Sequence, residues 1–154
     1  MGIFLNFERS VVNLKRVVFI DPNGNRNEIT NIETLKGEII NKFETYWMQG
    51  SGDGFIDYYE DENKISTLLI GPNIEYGLYL HFVNKNGKND LLSLYNKCKL
   101  DEVVETADEI YASIGLFLPI EVAWKVISDF VETGRASSKI EWITPGDIPE
   151  NGNW

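Results

Sequence analysis

The sequence is poor in cysteine, histidine and basic side chains, and each shortage removes a class of chemistry. With Cys98 alone, no internal disulfide and no thiolate metal cluster can form. Lys97 and Lys99 flank that thiol, but a nucleophilic cysteine needs a histidine base, and the sole histidine, His81, lies in a strand-like run. A plain, partly buried thiol is therefore expected. G-x-S-x-G, a phosphate-binding glycine loop and H-E-x-x-H are all missing. No apolar run approaches the roughly 20 residues that span a bilayer. Residues 1–9 lack the basic start and apolar stretch of a signal peptide, and Asn6 stands where a myristoylation pattern has Ser or Thr. The expectation is a cytoplasmic, non-catalytic protein with no membrane partner, no metal and no cofactor.

Acid is what the chain has in excess. Asp and Glu number 24 against 14 Lys and Arg, giving a formal net charge of −10 and a pI near 4.5. Such a field repels nucleic acid and draws basic partners to the surface. Hydrophobic residues at 43% and charged residues at 25% fit an ordinary globular chain, and 154 residues suit one domain with one sizeable core.

Two helices are predicted. Ile32, Leu35, Ile39, Ile40, Phe43 and Trp47 recur at spacings of three and four, with Thr30 or Asn31 to cap the start and Gly50-Ser51-Gly52-Asp53-Gly54 to end the helix. The second begins at Pro119, buries Val122, Ala123, Val126, Ile127, Phe130 and Val131, and ends at Gly134. Strand patterns cover Val11–Ile20, Phe55–Glu60, Ser66–Ile70, Tyr76–Val83, Leu91–Tyr95, Val103–Ala107 and Lys139–Ile143. Glu62-Asn63-Lys64, Gly71-Pro72-Asn73 and Asn86-Gly87 supply turns between them. Links that short join antiparallel neighbours. The fold class is α+β: a single, mainly antiparallel, twisted sheet with two principal helices packed on one face. Residues 1–154 read as one domain, closing in an irregular tail, 144–154, whose apolar anchors are Ile148 and Trp154.

Candidate sites are few. Asp21-Pro22-Asn23-Gly24-Asn25 alternates oxygen ligands, yet an EF-hand loop needs Gly at position six and Glu at position twelve, where this sequence has Arg26 and Ile32. That loop and Asp53-Gly54-Phe55-Ile56-Asp57 are read as turns. Alternation puts His81 with Tyr79 and Val83, opposite Leu78, Leu80 and Phe82. The acids show more pattern. Glu44, Asp53, Asp57, Glu60, Asp61 and Glu62 have no Lys or Arg among them and interleave with Tyr46, Trp47, Phe55, Tyr58 and Tyr59. A second basic-free run holds Asp101, Glu102, Glu105, Asp108, Glu109 and then Tyr111. Acids mixed with aromatics suit a basic protein surface, the rings anchoring and the charges steering. The candidate binding stretch is Asp53, Asp57, Tyr58, Tyr59, Glu60, Asp61 and Glu62.

Residues 119–135 end in Phe130-Val131-Glu132-Thr133-Gly134-Arg135, followed by Ile140-Glu141-Trp142 and the Gly146-Asp147-Ile148-Pro149-Glu150 tail with Trp154. A helix ending in Phe-x-x-Thr-Gly before a Trp-bearing strand resembles the first-numbered immunity family of bacterial polymorphic and contact-dependent growth inhibition toxin systems. The resemblance is specific over 119–142. It implies an α+β protein that binds the C-terminal domain of a cognate toxin, often a nuclease or deaminase, and occludes its active site or substrate groove. Phe130, Gly134 and Trp142 read as scaffold, and Glu141 is more exposed. A small glycoside hydrolase working through paired carboxylates and an interaction module without a toxin are the alternatives.

Overall fold

The computed structural model describes residues 14–45, 47, 53–85, 90–107 and 109–154. Along the chain run β1 (Lys15–Ile20), β2 (Arg26–Glu28), a helix α1 (Ile32–Lys36), β3 (Gly54–Glu60), β4 (Asn63–Asn73), β5 (Gly77–Asn84) and β6 (Leu91–Leu94). There follow β7 (Val103–Ala107), β8 (Ile110–Ser113), β9 (Phe117–Leu118), α2 (Ile120–Thr133) and β10 (Glu141–Ile143). Eight strands form one sheet in the order β10-β6-β5-β4-β3-β1-β2, with β9 beside β5, and β7 and β8 form a separate hairpin. The pairings within both are antiparallel.

Alternation sends Val17, Phe19, Ile56, Tyr58, Leu68, Ile70, Leu80 and Phe82 to one face, where Leu35 and Ile39 of the first helix and Val126, Ile127 and Phe130 of α2 cover them. Both helices thus lie on one face of the sheet, as the helical periodicity requires. The other face carries a smaller apolar cluster at its β5–β6 end, built from Tyr79, Leu92, Leu94, Leu100, Ala112, Leu116 and Phe117.

The first helix departs from its expected course. Asn31 caps it by accepting from Glu33 N at 2.8 Å, but after Lys36 the chain widens into a π-helical turn over Gly37–Asn41, and beyond it only isolated turn bonds, Phe43 N to Ile40 O and Trp47 N to Lys42 O, replace the continuous α-helix expected as far as Trp47. The buried residues Leu35, Ile39, Phe43 and Trp47 are four apart, a spacing that runs ahead of an α-helix with about 3.6 residues per turn. The wider turn offsets that drift. Trp47 then folds back, its Nε1 donating to Glu38 O at 2.9 Å and its ring stacking on Phe19.

Strand boundaries differ where turn chemistry is atypical. The β3–β4 link is the two-residue turn Asp61-Glu62, both at positive φ (49° and 80°), so Asn63 and Lys64 belong to β4. A bulge at Ile65 shifts the register beyond Tyr58. Pro72 lies inside β4 because β3 pairs only as far as Ile70, leaving proline on an unpaired edge. The short strands β2, β8 and β9 have patterns too brief to see in sequence. Val11–Asn13 and the Asn86-Gly87 turn lie outside the described residues. Cys98, expected to be partly buried, is exposed on a 3-10 turn, Lys97–Lys99. Among the described residues no helix is long and apolar enough to cross a membrane.

Candidate functional site

The block from Phe130 to Trp142 is a structural joint. Gly134 ends α2 in the left-handed conformation at φ +71°, and a Cβ there would meet the Tyr58 ring at 2.5 Å. Ser66 Oγ donates to Gly134 O at 2.6 Å, tying the helix end to β4. Phe130 meets Tyr58 and Phe82 edge-on. Trp142 packs against Phe82 and donates through Nε1 to Ser137 O at 2.7 Å. Asp129 accepts from Ser137 Oγ and Lys139 Nζ, which hold its carboxyl below the usual range, the Ser137 bond first. Glu141 is exposed and pairs with Lys97 at 3.2 Å.

The candidate stretch Asp53–Glu62 is divided by the structure. Tyr58 is 6% exposed, under α2, and belongs to the core rather than the surface. Asp57, at 5%, sits on the opposite sheet face, accepting from Thr67 Oγ1 at 2.7 Å with Lys64 Nζ at 4.0 Å. Tyr59 carries the Arg16 guanidinium 4.6 Å above its ring. Asp61 ties the turn to the residue before β1 by accepting from Leu14 N at 2.9 Å. Glu60 is half-buried and Glu62 exposed at that end of β3. Asp53 stands at the far end of the strand, some seven residues and about 23 Å away. One of its oxygens is buried without a partner, and burial raises its pKa to about 6. The seven residues do not form one patch.

The second acidic run, apart from Asp108, which lies outside the described residues, converges with other exposed groups. Among the described residues eight large hydrophobics are exposed; Ile74 and Tyr95 line one cleft, and Val103, Ile110 and Tyr111 belong to the β7–β8 hairpin, whose Glu105 is bonded to Asn73 beside that cleft. Asn73 fastens the two together: its carboxamide oxygen accepts from Glu75 N and Tyr76 N, and its Nδ2 donates to Glu105 O at 2.9 Å. Tyr95 N and Asn96 N both donate to Gly115 O, and Ile114 N donates to Glu102 O. Glu75, Asp101, Glu102, Glu105 and Glu109 are exposed among these apolar groups. Glu105 faces Tyr111 across the β7–β8 hairpin. Lys99 is tied to Glu102 at 2.9 Å, which raises its pKa, so the lysines 97 and 99 are both paired with acids.

The cleft, of about 450 Å³, opens between the Ile74–Tyr76 turn and the Tyr95–Lys99 segment. Phe117, Ile114 and Ile120 supply apolar lining, and Glu44 and Glu75 are among its walls. Ile74, Glu75 and Tyr95 escape sequence reading because each is a lone residue at a strand end. The nearest signal is an isoleucine directly after the Gly71-Pro72-Asn73 run, which ends β4.

On the sheet's second face, register aligns Arg26, Ile20, Phe55, Leu69 and His81 in one row, with Glu28, Val18, Asp57, Thr67 and Val83 beside it. His81 Nε2 lies 3.2 Å from Asp90 Oδ2, and Trp154 stands edge-on to its ring at 5.5 Å. The tail is held in place: Ser113 N donates to Asn153 O, Asn153 N donates back to Ser113 Oγ, and Ile148 packs on the smaller cluster. No group of three or more metal-ligating side chains occurs among the described residues. Searches of family models, curated proteins and solved structures returned no match to this chain.

Proposed function

We propose that this chain is a cytoplasmic immunity protein that binds the C-terminal domain of a cognate bacterial toxin and occludes its basic active site or substrate groove. The observation that carries the binding role is that exposed hydrophobics of the Ile74–Tyr95 cleft and the adjoining β7–β8 hairpin, five of the eight exposed among the described residues, lie beside the exposed acids Glu75, Asp101, Glu105 and Glu109. Exposed apolar groups ringed by charge mark protein-binding surfaces. The toxin as partner comes from the 119–142 resemblance, whose residues here build the joint between α2 and the sheet. That division of labour fits a family that keeps its fold and varies its recognition surface.

In this reading Tyr95, Tyr111 and Ile74 bury against the toxin, while Glu75, Glu102, Glu105 and Glu109 accelerate encounter and exclude nucleic acid from the covered groove. Co-expression with the toxin encoded immediately upstream tests it. Cells survive and a complex runs through gel filtration if the reading holds; cell death with no complex overturns it.

A further inference from the structure

The cleft between the Ile74–Tyr76 turn and the Tyr95–Lys99 segment has a chemistry more specific than general acidity. Two phenol rings, Tyr76 and Tyr95, line it, and Tyr95 is 58% exposed. Glu44 and Glu75 stand in its walls, and neither has a basic partner within 4.0 Å among the described residues. Lys99, the cation in the lining, is bound to Glu102, which offsets the repulsion it would exert. Aromatic faces beside free carboxylates and apolar lining favour a flat, weakly hydrated cation with a long alkyl stem, which describes arginine better than lysine.

Both walls are held before anything binds. Asn73 fixes the turn by accepting from Glu75 N at 2.9 Å and Tyr76 N at 3.0 Å. Asn96 fixes the opposite wall by accepting from Cys98 N at 3.0 Å, while Tyr95 N donates to Gly115 O at 2.8 Å. Gly77, at φ +104°, sets the turn against the Leu118 carbonyl, leaving no room for a Cβ. A preformed cleft loses little conformational freedom on binding.

We propose that this cleft is a socket for an arginine side chain of the partner protein, an inference that rests on the partner-binding reading above and gives it a chemical anchor. The test titrates ¹⁵N-labelled full-length protein with N-acetylarginine amide and, separately, with the uncharged isostere N-acetylcitrulline amide. The socket predicts progressive amide shifts at residues 74–77 and 95–99 with the arginine probe and at least about threefold weaker binding of citrulline. The double variant E44Q/E75Q and Tyr95→Ala weaken the arginine probe, whereas Tyr95→Phe, which keeps the ring, does not. Equal binding of the two probes, or shifts confined to other surfaces, overturns the socket. Toxin binding is measured in parallel. Arginine binding at the cleft without a toxin complex upholds the socket and sinks the immunity reading. A toxin complex unaffected by E44Q/E75Q, with no arginine shifts, does the reverse.

Discussion

Gly134 rests its Cα against the ring of Tyr58, with room for a hydrogen and none for a methyl group. The left-handed backbone at φ +71° already disfavours any other residue by about 1 kcal/mol, and the contact adds a steric cost. Gly134→Ala should therefore destabilise the fold by about 2–4 kcal/mol in urea unfolding. A loss below about 1 kcal/mol would mean that α2 can re-seat on the sheet without this joint.

Ser93 serves two buried backbone groups at once, accepting from Leu80 N at 2.9 Å and donating to Leu116 O at 2.6 Å. Ser93→Ala orphans both, an expected cost of about 2–4 kcal/mol. Faster hydrogen exchange at the Leu80 amide would locate the damage at the β5–β6–β9 junction.

Asp53 makes stability depend on pH in the opposite sense from a paired carboxylate. Burial raises its pKa from the ordinary 3.8 to about 6, so between those values the unfolded chain has already released a proton that the folded chain retains. Stability from this group is full below about pH 4 and is lost as pH rises through about 6. Asp53→Asn should remove that slope and stabilise the protein at pH 7 by about 1–2 kcal/mol, a figure reduced for partial solvent access. Urea midpoints of both proteins at pH 4 and 7 decide it: parallel lines contradict the assignment. Burial and the Asp53 charge likewise hold the Tyr79 phenol well above its usual range.

The two acidic stretches make different demands on a partner. Glu60 and Glu62 lie at the β3–β4 turn, whereas Glu102 and Glu105 lie at the β7–β8 hairpin. Reversal of Glu102 and Glu105 to lysine is expected to weaken toxin association at low salt by about tenfold, mostly in the association rate, and Glu60→Lys with Glu62→Lys to change it little. The converse ranking in stopped-flow association would return the contact to the Asp53–Glu62 stretch. Reversal of Asp57 is uninformative for binding, because its buried carboxylate is bonded to Thr67 and the variant disturbs the sheet itself.

The helices and long strands were legible because periodicity reports which side faces the core: α2, from the turn at Pro119 to the left-handed Gly134, follows its pattern, and Leu78, Leu80 and Phe82 share a face opposite His81. The first helix was legible in its burial but not its bonding, since a four-residue stripe is compatible with both α and π turns. The surface was least legible. Acid and aromatic residues adjacent in sequence alternate between opposite faces of a strand, so Asp57 and Tyr58 could not both look outward. The acidic surface is assembled instead from the 73–76 turn, the 95–99 segment and the β7–β8 hairpin, which are distant in sequence and joined by bonds such as Asn73 to Glu105.

Hydrogen exchange of the complex with the upstream-encoded toxin domain probes the central claim most directly. Protection on binding is expected in residues 74–76, 95–105 and 110–116, with α2 and the Gly134 joint unchanged. A complex that protects α2 and β10 while leaving those segments exposed, or no complex at all, would contradict it.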